Sequence, residues 1–439
     1  MAAPYGWTKR QAIALAIALS ATSAHAARWG DTGPITIPDA QIEPTTWSEL
    51  DGWSLDDQAE AYATFWASCR PMLKRSAAAS RAVRPISNAL ETACRHATTA
   101  LPISPERARK FFEEEFRPVR ISRLGETQGF LTGYYEPLVE GSRFPTREFT
   151  VPMYRRPDDL VAIGSSGSSG FPNKAQVGRR TGDGSIVPYY DRGEIEDGAL
   201  DGRHLEICWL KDPVAAFSIH IQGSARVRLE DGLMLRLNYD AHNGHSYTPV
   251  GRLLIERNIV PKEEMSLERI RQWMHDNPDG ARDLRRNNQS FVFFRIVGLG
   301  DEGEALGGQG VRLTPGRSIA VDRALHTYGT PFWIEADLPI ASRTSRTPFR
   351  RLMIAQDTGS AIVGPARADL FFGAGDSAGL IAGRIRDPGR FVMLIPRELD
   401  PLEAGKTMPV PVARPNVEKM SEPSAGNNSK HASKSRRAK

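Results

Sequence analysis

The chain has 439 residues, 40% hydrophobic and 25% charged, with 39 Gly, 31 Pro and only three Cys. That composition is globular and too long for one small module, and it excludes a disordered chain, a collagen-like repeat and a disulfide-knit scaffold. The net charge of +5 comes from 57 Lys and Arg against 52 Asp and Glu. From Pro401 onward eight basic residues face three acidic ones, so the tail alone accounts for the excess and a nucleic-acid-binding core has no support.

At the N-terminus, Lys9-Arg10 precede the small apolar run Ala12–Leu19, and Ala24-His25-Ala26 follows. This order reads as a secretory signal peptide over residues 1–26, because so short an apolar run cannot cross a bilayer core of about 30 Å. The mature protein is expected to be exported and periplasmic, with no transmembrane segment. No Cys lies near the cleavage point, so lipid attachment there is not expected. Export favours oxidised cysteines, and Cys69 and Cys94 are expected to form a disulfide; three buried thiols are the alternative.

Residues 27–50 read as an extended, Pro- and Thr-rich arm. Ser54 can cap a helix over Leu55–Lys74, and Ser104-Pro105-Glu106 opens another that stops at Arg117-Pro118. A strand is expected at Phe130–Tyr135. Short β-like runs continue through Ala216–Gln222, Arg226–Glu230 and Leu233–Tyr239, the last two joined by an Asp231-Gly232 hairpin turn. Gly164–Gly170 reads as a surface loop. Helices are expected from Pro249 to Arg257 and, capped by Ser266, to about Asp276. Strands return at Ser290–Val297, Ser318–Val321, Pro331–Glu335, Leu352–Ala355 and Phe391–Ile395. Short strands without regular βαβ alternation indicate β-barrels. Residues 399–439 read as a disordered basic tail.

Gly375-Asp376-Ser377-Ala378-Gly379 fits the nucleophile-elbow pattern, but that fold requires a later acid and His, and only His431 in the tail follows. His242-Asn243-Gly244-His245 reads as a turn rather than a metal site. No zinc motif, phosphate loop or dinucleotide fingerprint appears, so neither metal nor cofactor is expected. What remains is a set of carboxylates, Asp357, Asp369 and Asp376, among apolar and Gly-rich residues. Partial burial would suit them to acid–base chemistry; capping of backbone N–H groups is the competing reading. Tyr134-Tyr135-Glu136 could form a platform for sugar rings, as could Tyr189-Tyr190, Trp209, Tyr239, Tyr247 and Trp333.

Four segments together resemble the membrane-bound lytic murein transglycosylase A family: Thr132-Gly133-Tyr134-Tyr135-Glu136-Pro137, Ile221-Gln222-Gly223-Ser224-Ala225, Asn243-Gly244-His245-Ser246-Tyr247 and Asn288–Phe294. The block from Ser318 to Phe372, with Gln356-Asp357-Thr358-Gly359, resembles that family's three-aspartate domain. The resemblance implies a mainly β fold with peripheral helices: a discontinuous double-psi β-barrel over 27–136 and 288–398, with a second β-barrel-like domain inserted at 137–287. It implies cleavage, without a cofactor, of the β-1,4 bond between N-acetylmuramic acid and N-acetylglucosamine in peptidoglycan.

By the same resemblance the catalytic acid/base falls on Asp369, with Asp357 as the neighbouring aspartate; burial, with Asp357 ionised nearby, is expected to raise the pKa of Asp369. Thr132, Tyr134, Glu136, Gln222 and Ser224 are expected to position the glycan. The expected partners are glycan strands and wall-assembly proteins, and the expected state is a monomer. Two other readings stay open: a hydrolase using Asp357 and Asp369 as a pair, and a non-catalytic glycan-binding barrel protein.

Overall fold

The structure is a computed structural model that describes residues 35–76, 85–97, 102–163, 176–299 and 303–400. The expected signal peptide, the Gly164–Gly170 loop and the basic tail lie outside the described residues.

Strand β1 (Ala40–Pro44) leads through two 3-10 turns into helices α1 (Gln58–Ser76), α2 (Pro85–His96) and α3 (Pro105–Glu115). Strands β2 (Phe116–Arg123), β3 (Gly129–Glu136), β4 (Leu138–Ser142), β5 (Val151–Tyr154), β6 (Leu160–Ala162), β7 (Val177–Arg180) and β8 (Ile186–Val187) follow. Next come α4 (Arg192–Glu196), β9 (Glu206–Leu210), α5 (Pro213–Gln222), β10 (Ser224–Leu229) and β11 (Met234–His242). Helices α6 (Val250–Glu256), α7 (Leu267–Asp276) and α8 (Pro278–Asn287) precede β12 (Val292–Leu299), β13 (Ser318–Val321) and β14 (Pro331–Leu338). The chain ends its regular structure with β15 (Thr347–Asp357), β16 (Arg367–Ala374), α9 (Gly375–Ala382) and β17 (Arg386–Pro396).

Six strands close on themselves in the order β3-β17-β14-β15-β13-β16 and back to β3, with β2 and β1 continuing outward from β17. Two of these pairings, β13 with β15 and β16 with β3, are parallel. A second sheet runs β12-β11-β10-β4-β9-β5, and its two ends meet again at one bridge, Arg155 with Phe294. Strand β12 pairs with β11 in this second sheet, so the sheet extends past the boundary expected at residue 288. A small sheet of β6, β7 and β8 lies beside it.

Side chains alternate across a strand, and both faces of the barrel wall use that alternation. In β15, Phe349, Met353 and Ala355 fill the barrel interior, while Leu352 and Ile354 point out onto the helices. Strand β17 repeats this with Phe391, Met393 and Ile395 inside, and Val392 and Leu394 outside. Helices α1, α2 and α3 cover that outer face with Tyr62, Phe65, Leu90 and Phe112. Cys69 and Cys94 form a disulfide that ties α1 to α2. Arg317 is buried against α1's N-terminal turn, donating to Asp56 and Glu60.

Three local expectations are corrected. Ala216–Gln222 is helical, the body of α5, opened by Asp212 accepting from the N–H groups of Val214 and Ala215 and closed by Gly223 at φ 80°. Its residues are buried nearly all round, which erases the polar stripe that normally marks a helix. Ser54 sits in a 3-10 turn and α1 starts later, at Gln58. The helix expected to reach Arg117-Pro118 ends at Glu115, where Phe116 begins β2 and Pro118 pairs with Leu394. The caps at Ser104 and Ser266 and the Asp231-Gly232 hairpin are found as expected.

Candidate active site

The wall made by β13, β16 and β3 has a different outer face. Leu131, Ala368, Leu370, Ile319 and Val321 point into the barrel. The alternation therefore turns Thr132, Asp369 and Ala320 outward, into a cavity of about 860 Å³ that they line together with Gln222 of α5 and Tyr247 and Asn288 from the loops before α6 and β12. Register holds these groups in one row. Ala320 lies opposite Asp369, and Asp369 lies opposite Thr132.

Asp369 is half-buried and held by two donors. The Thr132 hydroxyl donates to Asp369 Oδ1, and Arg367 Nη1 donates to the same oxygen at 2.6 Å. Arg367 Nη2 also donates to Thr132 Oγ1 at 2.8 Å, so the three side chains form a closed triangle. Arg367 lies two residues before Asp369 on the same strand and hence on the same face. Its guanidinium also rests over the Phe130 ring, 5.5 Å from the centroid.

Asp357 sits at the end of β15, half-buried, and lines the same cavity. Its Oδ1 accepts from the backbone N–H groups of Gly308 and Thr358, each at 2.8 Å, and its Oδ2 accepts from the Tyr134 hydroxyl at 3.0 Å. Burial raises its pKa to about 6, against the pull of those three hydrogen bonds, and the nearby charge of Asp369 adds to the rise. The Tyr134 hydroxyl is pushed well above its ordinary value, first by burial and then by Asp357. Tyr247 is pushed up to about 12 by burial, with the charge of Asp369 contributing.

Asp357 is positioned from behind by Gln356. That side chain is fully buried, accepts from Ser318 Oγ at 2.6 Å, and donates to Thr64 O and Ser68 Oγ of α1 at 2.9 and 2.8 Å. The helix layer thus fixes the loop that carries the carboxyl. Gly307 is needed beside it, since a Cβ there would stand 2.6 Å from Gln356 O.

The expected glycan-positioning residues divide. Thr132, Tyr134 and Gln222 line the cavity; Gln222 Oε1 also accepts from the Tyr135 N–H at 3.0 Å, linking α5 to β3. Glu136 and Ser224 do not line it. Glu136 has no exposed surface: Arg226 donates to its Oε2 at 2.7 Å, Arg236 approaches its Oε1 at 3.5 Å, and burial raises its pKa from the ordinary value. It fastens β3 to the second sheet. Ser224 is buried in β10 opposite Asn238.

Sequence reasoning missed Arg367, whose signal was the i, i+2 spacing to Asp369 on an apolar strand. It also missed Gln356 as an anchor. Asp376 and Ser377 are exposed on α9; Gly379 serves packing, since a Cβ there would stand 2.7 Å from the Tyr135 ring, and Gly375 takes φ 79°. In the His242–His245 segment, Gly244 takes φ 87° and His245 Nε2 lies 2.7 Å from Tyr189 O, the geometry of a pinned turn.

A closed barrel thus presents Asp369 to a cavity that is lined also by residues from α5 and from the loops before α6 and β12, and comparison with known proteins gives this arrangement its class. Residues 317–395 match the 3D domain, and residues 130–295 match the MltA specific insert domain. The membrane-bound lytic murein transglycosylase A of Vibrio cholerae is 32% identical over 290 residues, which span 65% of this chain and 70% of that protein. Among solved structures, a membrane-bound lytic murein transglycosylase from Agrobacterium tumefaciens is 37% identical with a TM-score of 0.72, covering 83% of this chain and 99% of that one. Escherichia coli MltA with bound chitohexaose is 25% identical with a TM-score of 0.55, covering 83% and 95%. The chain belongs to the membrane-bound lytic murein transglycosylase A family.

Proposed function

We propose that this protein is a peptidoglycan lytic transglycosylase, cleaving the β-1,4 bond between N-acetylmuramic acid and N-acetylglucosamine, with Asp369 as the group that moves the proton. The observation that carries this reading is the outward row on the barrel wall, where Asp369 is held by Thr132 and Arg367 at the face of a cavity large enough for sugar rings. A related structure holds chitohexaose, a β-1,4-linked sugar chain, which supports a glycan as the occupant.

The chemistry needs one carboxyl group. Protonated Asp369 gives its proton to the glycosidic oxygen as the bond to muramic acid C1 breaks. The carboxylate then takes a proton from the C6 hydroxyl of the same sugar, and that oxygen attacks C1 to close a 1,6-anhydro ring. The proton borrowed in the first half is returned in the second, and no water is consumed. A hydrolase would need a second group to handle water. Mass spectrometry of products from purified sacculi separates the two: anhydro-muropeptides support this reading, and reducing ends replace it with hydrolysis.

One observation favours a second assignment within the same reaction. Burial lifts the Asp357 carboxyl to about 6, and Asp369 is paired with the Arg367 guanidinium. In that reading Asp357 donates the first proton. Comparing folded Asp369→Asn and Asp357→Asn decides it, because the larger loss of product marks the proton carrier.

The leader-like N-terminus supports export to the periplasm. No helix among the described residues is long and apolar enough to cross a membrane. Fractionation of cells producing the full chain tests the location; retention in the cytoplasm would overturn it. We assign the barrel unit to about 27–136 and 300–398 and the insert to 137–299, on the pairing of β12 with β11.

A further inference from the structure

We propose that a basic pocket beside the cleft binds the carboxylates of the peptide stem that hangs from the muramic acid at the cleavage point. The proposal rests on the peptidoglycan reading above and names a part of the substrate that the glycan cleft itself does not recognise. The pocket, of about 610 Å³, opens into the main cavity; Phe130, Lys262, Met265 and Arg386 line both.

Register sets its distance from the chemistry. Asp369 lies opposite Thr132, and Thr132 lies opposite Arg386 on β17. Directly opposed residues on neighbouring strands share a face, and strands are spaced by about 4.8 Å, so Arg386 stands two strands, about 10 Å, along the row from Asp369. A sugar seated against Asp369 brings its substituents within reach of that end of the row.

The charges there are not all spent on the protein. Arg346 pairs with Asp387, and Arg343 pairs with Glu268 at 2.5 Å. Arg386 is exposed, and neither its guanidinium nor the Lys262 ammonium has a hydrogen bond or ion pair among the described residues. Arg384 donates through Nη2 to Ile340 O at 2.6 Å, while its buried Nε has no partner. Opposing them on the rim are Glu263 and Glu264, the latter 4.0 Å from Arg269. Three cations thus remain against one uncompensated carboxylate. A stem peptide supplies carboxylates to such a site; a neutral glycan supplies none, and charge-assisted hydrogen bonds from Arg to carboxylate are the strong kind.

The test is co-sedimentation in the Asp369→Asn background, with intact sacculi and with sacculi stripped of stems by an amidase. The protein should prefer intact sacculi, and Arg386→Gln should reduce that preference by about fivefold, the scale of one partly exposed ion pair. Lys262→Gln should reduce it less, and raised salt should erase it. Equal loss on both substrates means that Arg386 touches sugar and overturns the proposal, as does an unchanged preference. If the unsubstituted pocket binds both substrates equally, the stem site falls while the glycan reading stands; binding to neither removes both.

Discussion

The barrel has two walls built by one rule and put to opposite uses. On the β14–β15–β17 side the outward positions are Trp333, Leu352, Ile354, Val392 and Leu394, and three helices bury them. On the β13–β16–β3 side the outward positions are Ala320, Asp369 and Thr132, and a cavity takes the place of the helices. The inward residues of both walls are interchangeable in kind, all aliphatic or aromatic members of one core. What differs is every second residue. The covered wall converts area into stability, and the open wall leaves that stabilisation out in exchange for polar groups held in register.

The largest effect should come from the open wall. Asp369→Asn removes a transferable proton while keeping shape, and general acid–base catalysis contributes on the order of 10²–10⁴-fold. Release of anhydro-muropeptides should fall by that factor with the thermal midpoint little changed; near wild-type release would shift the assignment to Asp357. The covered wall should behave in reverse. Trp333 is fully buried, so Trp333→Ala should cost about 3–5 kcal/mol in denaturant unfolding while turnover per folded molecule is preserved. A folded Trp333→Ala protein with lost activity would mean that the two walls are coupled.

Asp357 lies between these extremes, and its effect depends on pH. Its folded pKa is raised from 3.8 to about 6, so between those values the folded state holds more protons than the unfolded one. The contribution of Asp357 to stability therefore falls as pH rises from about 4 to about 6, by roughly 3 kcal/mol, and is flat above. Asp357→Asn removes that titration. The variant should gain thermal midpoint relative to the wild type across this window, and a difference that does not vary with pH would show that burial does not strain the carboxyl. The smallest effect is expected for Thr132→Val, which opens the Thr132–Arg367–Asp369 triangle without removing a charge. Turnover should drop about tenfold, in line with one hydrogen bond to a charged group, and a shift in KM alone would make Thr132 a sugar contact.

The same contrast explains what could be read from sequence. Strands β13, β14 and β17 were visible because both of their faces are apolar, giving runs such as Phe391–Ile395. Strand β16 carries no such run, because its outward Arg367 and Asp369 interrupt it and Gly373 and Gly375 follow. Helix α5, buried nearly all round, has no polar period and so resembles a strand in sequence, although Asp212-Pro213 is a legible start. At the site, Thr132, Tyr134, Gln222, Asp357 and Asp369 line one cavity. Glu136 lies outside it, because a strand-end carboxylate meets Arg226 of β10 and Arg236 of β11, 90 and 100 residues away in sequence. Nothing local announces that pairing.

The triangle at Asp369 joins residues 237 positions apart, and β3 is hydrogen-bonded in parallel to β16 across that interval. Closing so long a loop is entropically unfavourable until other contacts compensate, and chains rich in such distant pairings fold slowly. The insert's β10–β11 hairpin can form early from neighbours in sequence, whereas the row bearing Asp369 has no existence before β16 docks between β3 and β13. A wall-cutting enzyme built this way stays inert while it is an unfinished polypeptide. In refolding, glycan cleavage should return with the slowest phase, after most strand signal is regained; cleavage that recovered with the first hairpins would contradict this order.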